Sequence, residues 1–83
     1  MDDAIYQRWQ SFIGLTVNQF SIETGLWVQN MYDNAEGRVF VIEWQRPLGP
    51  CNIQLHATYN GAGANADGWT IYRTVHQGPC GGI

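Results

Sequence analysis

The segment from Cys51 to Asn60 alternates strictly between apolar and polar side chains. Its apolar positions are Cys51, Ile53, Leu55, Ala57 and Tyr59, and its polar positions are Asn52, Gln54, His56, Thr58 and Asn60. Successive side chains of a β-strand point to opposite faces, so a period of two predicts a strand with one buried face and one wet face. The fold therefore has to contain a sheet that is covered on one side.

A second run of strand-forming residues, 69–76, follows a loop of small residues, 60–68. If the two ends of this loop pair, the runs on either side form a hairpin. One face of that hairpin then carries eight side chains with hydrogen-bonding groups, namely Asn52, Gln54, His56, Thr58, Thr70, Tyr72, Thr74 and His76. On the other face the same pairing sets Leu55 opposite Arg73, so either the register differs slightly or Arg73 extends its head group to the sheet edge.

The chain has two cysteines, Cys51 and Cys80, and each follows a Gly-Pro pair. The predicted pairing puts Cys51 at the open end of the hairpin, and a bend at residues 78–79 can bring Cys80 back beside it. We therefore expect a disulfide, which closes a loop of about thirty residues and stabilises the fold by roughly 3.5 kcal/mol in the chain-entropy model. The alternative is a pair of free thiols in a cytosolic protein. A disulfide predicts an oxidising compartment, such as that of a secreted protein.

The start of the chain predicts a helix. Ile5, Trp9, Phe12 and Ile13 recur at the spacing of an amphipathic helix over residues 3–13, and a glycine follows. One face of this helix is apolar and suits packing against a sheet.

The residues between this helix and Cys51 are interpreted as strands joined by turns. Runs at 15–17, 20–22, 26–32 and 39–44 predict strands, and Asp, Asn and Gly at 33–37 suit a hairpin loop. The sequence thus predicts one α+β domain, 1–83, with its helix packed on a curled antiparallel sheet of about five strands. A small β-barrel with a capping helix is the alternative. The layout resembles that of cystatins in outline, but their Q-x-V-x-G motif is absent, so the resemblance implies topology alone.

The run Val39-Phe40-Val41-Ile42 is apolar on both faces of its predicted strand. Such strands are usually central and covered on both sides. The helix can cover one face, whereas the other requires a curled sheet or a second copy of the chain. Strand 39–42 therefore offers a route to a homo-oligomer.

The charge of the chain argues against nucleic acid as a partner. The net charge is −3, there is no lysine, and the four arginines are dispersed singly. Binding to a phosphate backbone needs clustered cations that release counterions. Because no apolar run approaches the length of a membrane span, we expect no membrane span either.

Patterns typical of enzymes and metal sites are missing from the sequence. Cys51 and His56 are five positions apart on one strand and point to opposite faces, which disfavours a nucleophile pair. The two cysteines and two histidines lack the close spacing of zinc motifs, and no phosphate loop or G-x-S-x-G is present. We therefore expect a protein that is not an enzyme and holds no metal or cofactor. A small enzyme using His56 or His76 remains the alternative.

Three functions fit these features. The first is a small secreted, disulfide-stabilised binding protein of effector or enzyme-inhibitor type, which contacts another protein or a carbohydrate through the last hairpin and its loop. Its candidate binding residues are the eight hydrogen-bonding side chains of the hairpin together with Trp69, since an exposed tryptophan is a favoured anchor. The second is a structural or interaction subunit of a homo-oligomer, and the third is the small enzyme.

Overall fold

The computed structural model describes residues 3–61 and 68–80. Within them the chain forms two helices, α1 (Asp3–Gln10) and α2 (Val17–Thr24), and four strands, β1 (Asn30–Asn34), β2 (Gly37–Arg46), β3 (Gly49–Tyr59) and β4 (Trp69–Gln77). The strands form one open antiparallel sheet in the order β1-β2-β3-β4. The α+β class is confirmed. The expectation of about five strands and the barrel alternative are wrong for this part of the chain.

Helix α1 is shorter than the predicted 3–13, because it ends at Gln10 and residues 11–14 form a turn. The backbone N–H of Gly14 donates to the carbonyl oxygen of Ile71 at 2.8 Å, so the chain pairs with the edge of β4. Trp9 and Phe12 are buried as the predicted stripe requires, whereas Ile13 is 40% exposed. The side chain of Ile5 lies outside the described part of the structure.

Helix α2 replaces the two short strands expected at 15–17 and 20–22. Thr16 accepts a hydrogen bond from the N–H of Gln19, and the Gln19 side chain accepts one from the N–H of Thr16, which completes a capping box. Gly25 ends the helix in the left-handed region at φ 76°. These two caps stabilise a helix where the alternating pattern favoured strands.

The hydrophobic core lies between the helices and one face of the sheet, which we call the inner face. The helices and the turn after α1 contribute Trp9, Phe12, Val17 and Phe20. The sheet contributes Phe40, Ile42, Cys51, Ile53, Leu55, Ala57 and Ile71. Burying these side chains provides the main driving force for folding.

Strand β1 starts later than the sequence predicted, at Asn30 rather than Leu26. Leu26 and Val28 still pack against the core, but as part of the connection from α2. The hairpin expected at 33–37 is confirmed, since Asn34 pairs with Gly37 across a two-residue turn.

The pairing of β3 with β4 contains a β-bulge. From Tyr59↔Trp69 to Ala57↔Ile71 the register is the predicted one, but His56 pairs with Arg73 and the rest of the ladder is displaced by one residue. The extra residue on β4 is Tyr72. The predicted pairings beyond this point are therefore wrong, and Arg73 does not lie opposite Leu55.

The predicted disulfide is present between Cys51 and Cys80. Their Cα atoms are 5.1 Å apart and both side chains are buried. The bend that returns Cys80 to the sheet needs a glycine, because Gly78 has φ 90° and a Cβ there would overlap the carbonyl oxygen of Pro50. The disulfide thus ties the end of the described chain to the start of β3.

Candidate functional site

The sheet presents its second face, which we call the outer face, away from both helices. Its described side chains include Asn30, Tyr32, Val39, Val41, Glu43, Asn52, Gln54, His56, Thr58, Thr70, Tyr72, Arg73, Val75 and Gln77. None of them belongs to the core cluster to which the helices contribute. The outer face is therefore the broad surface of the sheet that neither helix covers.

The bulge divides the predicted binding residues between the two faces. Six of them lie on the outer face: Asn52, Gln54, His56, Thr58, Thr70 and Tyr72. Thr74 and His76 lie on the inner face, because the displaced register sets them opposite Leu55 and Ile53. Trp69 is also on the inner side, where its ring lies 5.9 Å from that of Phe40. The expectation of one continuous hydrogen-bonding face over the whole hairpin is wrong.

His76 has a structural partner. Its ring stacks on the indole of Trp9 with centroids 4.5 Å apart and an interplanar angle of 7°. This stack joins α1 to the end of β4. His56 lies on the other face of the sheet, so the two histidines do not form a pair.

Tyr72 reaches across the outer face. Its hydroxyl donates to Oε2 of Glu36 at 2.9 Å, which links β4 to the β1–β2 turn over the intervening strand β3. The hydrogen bond to the carboxylate, followed by burial and by the negative charge of Glu36, raises the pKa of Tyr72 above its ordinary value. The phenol is thus held in one position as a protonated donor.

His56 lies beside this contact on the central strand β3. Its ring meets that of Tyr72 edge to face with centroids 6.3 Å apart, and its Nε2 is 3.4 Å from Oε1 of Gln54. Burial lowers its pKa, the positive charge of Arg73 lowers it further, and the negative charge of Glu36 opposes both. The neutral imidazole is favoured, which suits exchange of hydrogen bonds with a neutral polar group.

Val39 lies beneath the polar part of this surface. It pairs with Tyr32 on one side and His56 on the other, and it is fully buried although it belongs to the outer face. The ring of Tyr32 is 49% exposed. Within the described chain the outer face therefore combines a packed apolar floor with exposed aromatic and polar groups.

Four residues of this site were missed by sequence reasoning: Tyr32, Glu36, Val39 and Arg73, the last of which was placed on the opposite face. The hairpin turn at 33–37 was recognised, and continuing its pairing by two residues would have set Tyr32 beside Val39. Nothing in the sequence signals the contact between Glu36 and Tyr72, which are far apart in the chain. Most of the predicted loop 60–68 lies outside the described residues.

The described residues include no group of three or more His, Cys, Asp or Glu side chains arranged to hold a metal ion. Among the helices of this same part of the chain, none has the length and apolar character to cross a membrane. Both cysteines are in the disulfide.

Comparison with known proteins adds no relative to this picture. The sequence matches no protein-family model, no curated protein and no solved structure.

Proposed function

We propose that this chain is a disulfide-stabilised binding domain, of effector or enzyme-inhibitor type, that recognises another protein through the outer face of its sheet. The observation that carries the proposal is the hydrogen bond of Tyr72 to Glu36, beside His56 and above the buried Val39. It holds aromatic and polar groups in fixed positions on a face that the helices leave free. Preorganised side chains lose little entropy on binding.

The chemistry of the surface favours a protein partner. Aromatic side chains with a polar end, such as Tyr32 and Tyr72, are typical of interface centres. The charged groups at the centre, Glu36 and Arg73, have opposite signs, so the surface is suited to neither a strongly acidic nor a strongly basic ligand. A carbohydrate is the second candidate partner, because its hydroxyl groups also match neutral amide and hydroxyl side chains.

The disulfide supports an oxidising compartment as the place where this domain works. Cys51 and Cys80 are both buried, so the bond is shielded from small thiols. A protein whose stability depends on such a bond would be secreted or otherwise kept from the reducing cytosol.

We propose binding rather than catalysis because the two candidate catalytic histidines do not lie close together. His56 and His76 lie on opposite faces, and His76 is stacked on Trp9.

The structural support for a homo-oligomer is also weaker than the sequence suggested. Val39, Phe40 and Ile42 are buried within a single chain, and Val41 is half-buried.

A screen on protein and glycan arrays tests the proposal. The oxidised domain is screened against arrayed proteins and arrayed glycans, and each hit is measured again with the variant Tyr32→Ser/Tyr72→Ser. We expect a protein hit whose affinity falls at least about tenfold, since aromatic anchors contribute 2 kcal/mol or more each. Tyr59→Ser is the matched control, because Tyr59 is exposed but lies on the inner side beside Trp69.

The outcomes separate the alternatives. Hits that bind the double variant as tightly as the original chain would place the binding surface elsewhere and reject the proposal. Glycan hits that depend on the same two tyrosines would keep the surface but replace the protein partner.

A further inference from the structure

Arg46, at the end of β2, makes no ion pair with any carboxylate in the part of the chain that the structure describes. Arg8 contacts Glu23 at 3.3 Å and Arg38 contacts Asp33 at 2.7 Å. Arg46 is half-buried, and its Nε is shielded from solvent yet has no hydrogen-bond partner among the described residues. A charged donor that has lost water without gaining an acceptor is unusual in a folded protein.

Trp44 holds this side chain in place without supplying the acceptor. The guanidinium carbon of Arg46 lies 4.1 Å from the centre of the Trp44 ring system. Such stacking is favourable for the cation and fixes the plane of the guanidinium. An indole offers no acceptor in that plane, so the hydrogen-bonding capacity of the guanidinium is not met by this contact.

A cleft of about 270 Å³ has Arg46 in its wall, and the other described residues that line it are Pro47, Leu48 and Pro79. Leu48, in the β2–β3 turn, is 89% exposed, which is unusual for a large apolar side chain. The opposite wall is attached to the sheet by the disulfide, since Pro79 immediately precedes Cys80. The cleft is thus apolar on most sides and cationic on one.

We infer that this cleft binds the C-terminal residue of a partner polypeptide that ends in an aliphatic side chain. The carboxylate of such a residue matches the terminal N–H donors of the Arg46 guanidinium, and its side chain matches Leu48 and the two prolines. In a C-terminal aliphatic residue the carboxylate and the branched side chain are attached to the same Cα. An internal Asp or Glu carries its carboxylate on the side chain and has no branched apolar group on the same residue. The volume is below that of typical small-molecule pockets, which suits a single residue.

The proposed cleft is separate from the outer face. Trp44 pairs with Cys51 on the inner face, at the disulfide end of the sheet. Its occupation does not depend on Tyr72 or His56, so the inference stands independently of the proposed function.

NMR titration of the oxidised, isotope-labelled chain tests the inference. The Nε–H signal of Arg46 and the indole N–H signal of Trp44 are followed while the probe, N-acetyl-Ala-Leu with a free carboxylate, is added. We expect saturable shifts of both signals, with a dissociation constant of about 1 mM or tighter. The same peptide with a C-terminal amide should bind at least about tenfold more weakly, since the charge-assisted hydrogen bonds are lost.

Three variants localise the effect. Arg46→Gln should weaken binding of the free-acid peptide at least about tenfold, and Leu48→Ser should weaken it several-fold. Arg73→Gln is the matched control, because it removes a cation from the outer face and should leave the affinity unchanged. If Arg46→Gln does not fold, the acid–amide comparison and Leu48→Ser still decide the question.

Equal binding of the acid and amide peptides would overturn the inference, as would the absence of saturable shifts at Arg46. Isovalerate binding as tightly as the peptide would also overturn it, because the occupant would then be a free aliphatic acid rather than a chain terminus.

Discussion

The inner and outer faces of β3 are built from alternate residues of one strand, yet they meet different surroundings. Cys51, Ile53, Leu55 and Ala57 are fully buried against the helices and neighbouring strands. The residues between them are exposed or half-buried, and their cross-strand neighbours are a mixture of valines with polar and charged side chains. The comparison shows that alternation assigns each side chain to a face, whereas the partner strand decides what it meets there.

The largest contrast between the faces should appear on truncation of adjacent residues. Leu55→Ala removes a side chain with no exposed surface and should lower the free energy of unfolding by about 2–5 kcal/mol, from lost burial and the cavity left behind. Gln54→Ala, one residue away on the outer face, should change it by less than about 0.5 kcal/mol. Urea unfolding of both variants measures the difference. Similar losses for the two would mean that the outer face is also part of the core.

The disulfide holds the inner face together at one end, and its removal should have the second-largest effect. Replacing both cysteines with alanine should lower the free energy of unfolding by about 2–4 kcal/mol, because the unfolded chain regains the entropy of the open loop. Thermal unfolding of the variant beside the oxidised and reduced original chain measures the loss. A reduced original chain as stable as the oxidised one would contradict this account.

Loss of the N-terminal cap of α2 should lower the free energy of unfolding by a smaller amount. Helix α2 is one of the two helices that cover the inner face. Thr16→Ala removes the acceptor for the N–H of Gln19 and should lower the free energy of unfolding by about 1 kcal/mol. Thr58→Ala on the outer face is the matched control and should be nearly neutral. Equal effects of the two threonines, measured by chemical unfolding, would show that the capping box does not stabilise the helix.

Local signals were sufficient for the parts of the fold that depend on neighbours in sequence. Strict alternation identified β3, the turn residues identified the β1–β2 hairpin, and the bend at 78–79 identified the disulfide. Helix α2 was missed although Thr16, Gln19 and Gly25 are the residues of a capping box and a glycine end. The alternation at 15–17 and 20–22 favoured strands, but the two caps stabilise a helix instead.

The bulge could not be located from the sequence. The part of the candidate site that lies on β4 therefore could not be predicted either. The conflict of Leu55 opposite Arg73 indicated that the register was strained, but not where an extra residue would enter. Its position reflects distant contacts, those of Tyr72 with Glu36 and of His76 with Trp9. The central part of the outer face was predicted because it lies on β3, whereas its contacts with β1 and β4 depend on tertiary packing.

The smallest predicted effect concerns the charge balance of the outer face. Burial and Arg73 hold the pKa of His56 below its ordinary value of 6.5, and Glu36 partly opposes them. NMR titration should therefore find a pKa below 6.5, raised by Arg73→Gln and lowered further by Glu36→Gln. In Glu36→Gln the pKa of Tyr72 should also fall towards 10.0, because that variant removes the carboxylate that accepts the hydrogen bond of the phenol.

The same depressed pKa fixes the sign of the pH dependence. Below pH 6.5 the unfolded chain binds a proton at this position before the folded chain does, so stability falls as the pH decreases through the interval between the two pKa values. Below the pKa of folded His56 the loss is complete, and above 6.5 the full stability is present. The effect is modest because His56 is half-buried and salt screens Arg73.

Unfolding curves of the original chain and of His56→Gln, compared across this pH range, isolate the contribution of His56 to stability. An identical pH dependence for the two would show that His56 makes no such contribution.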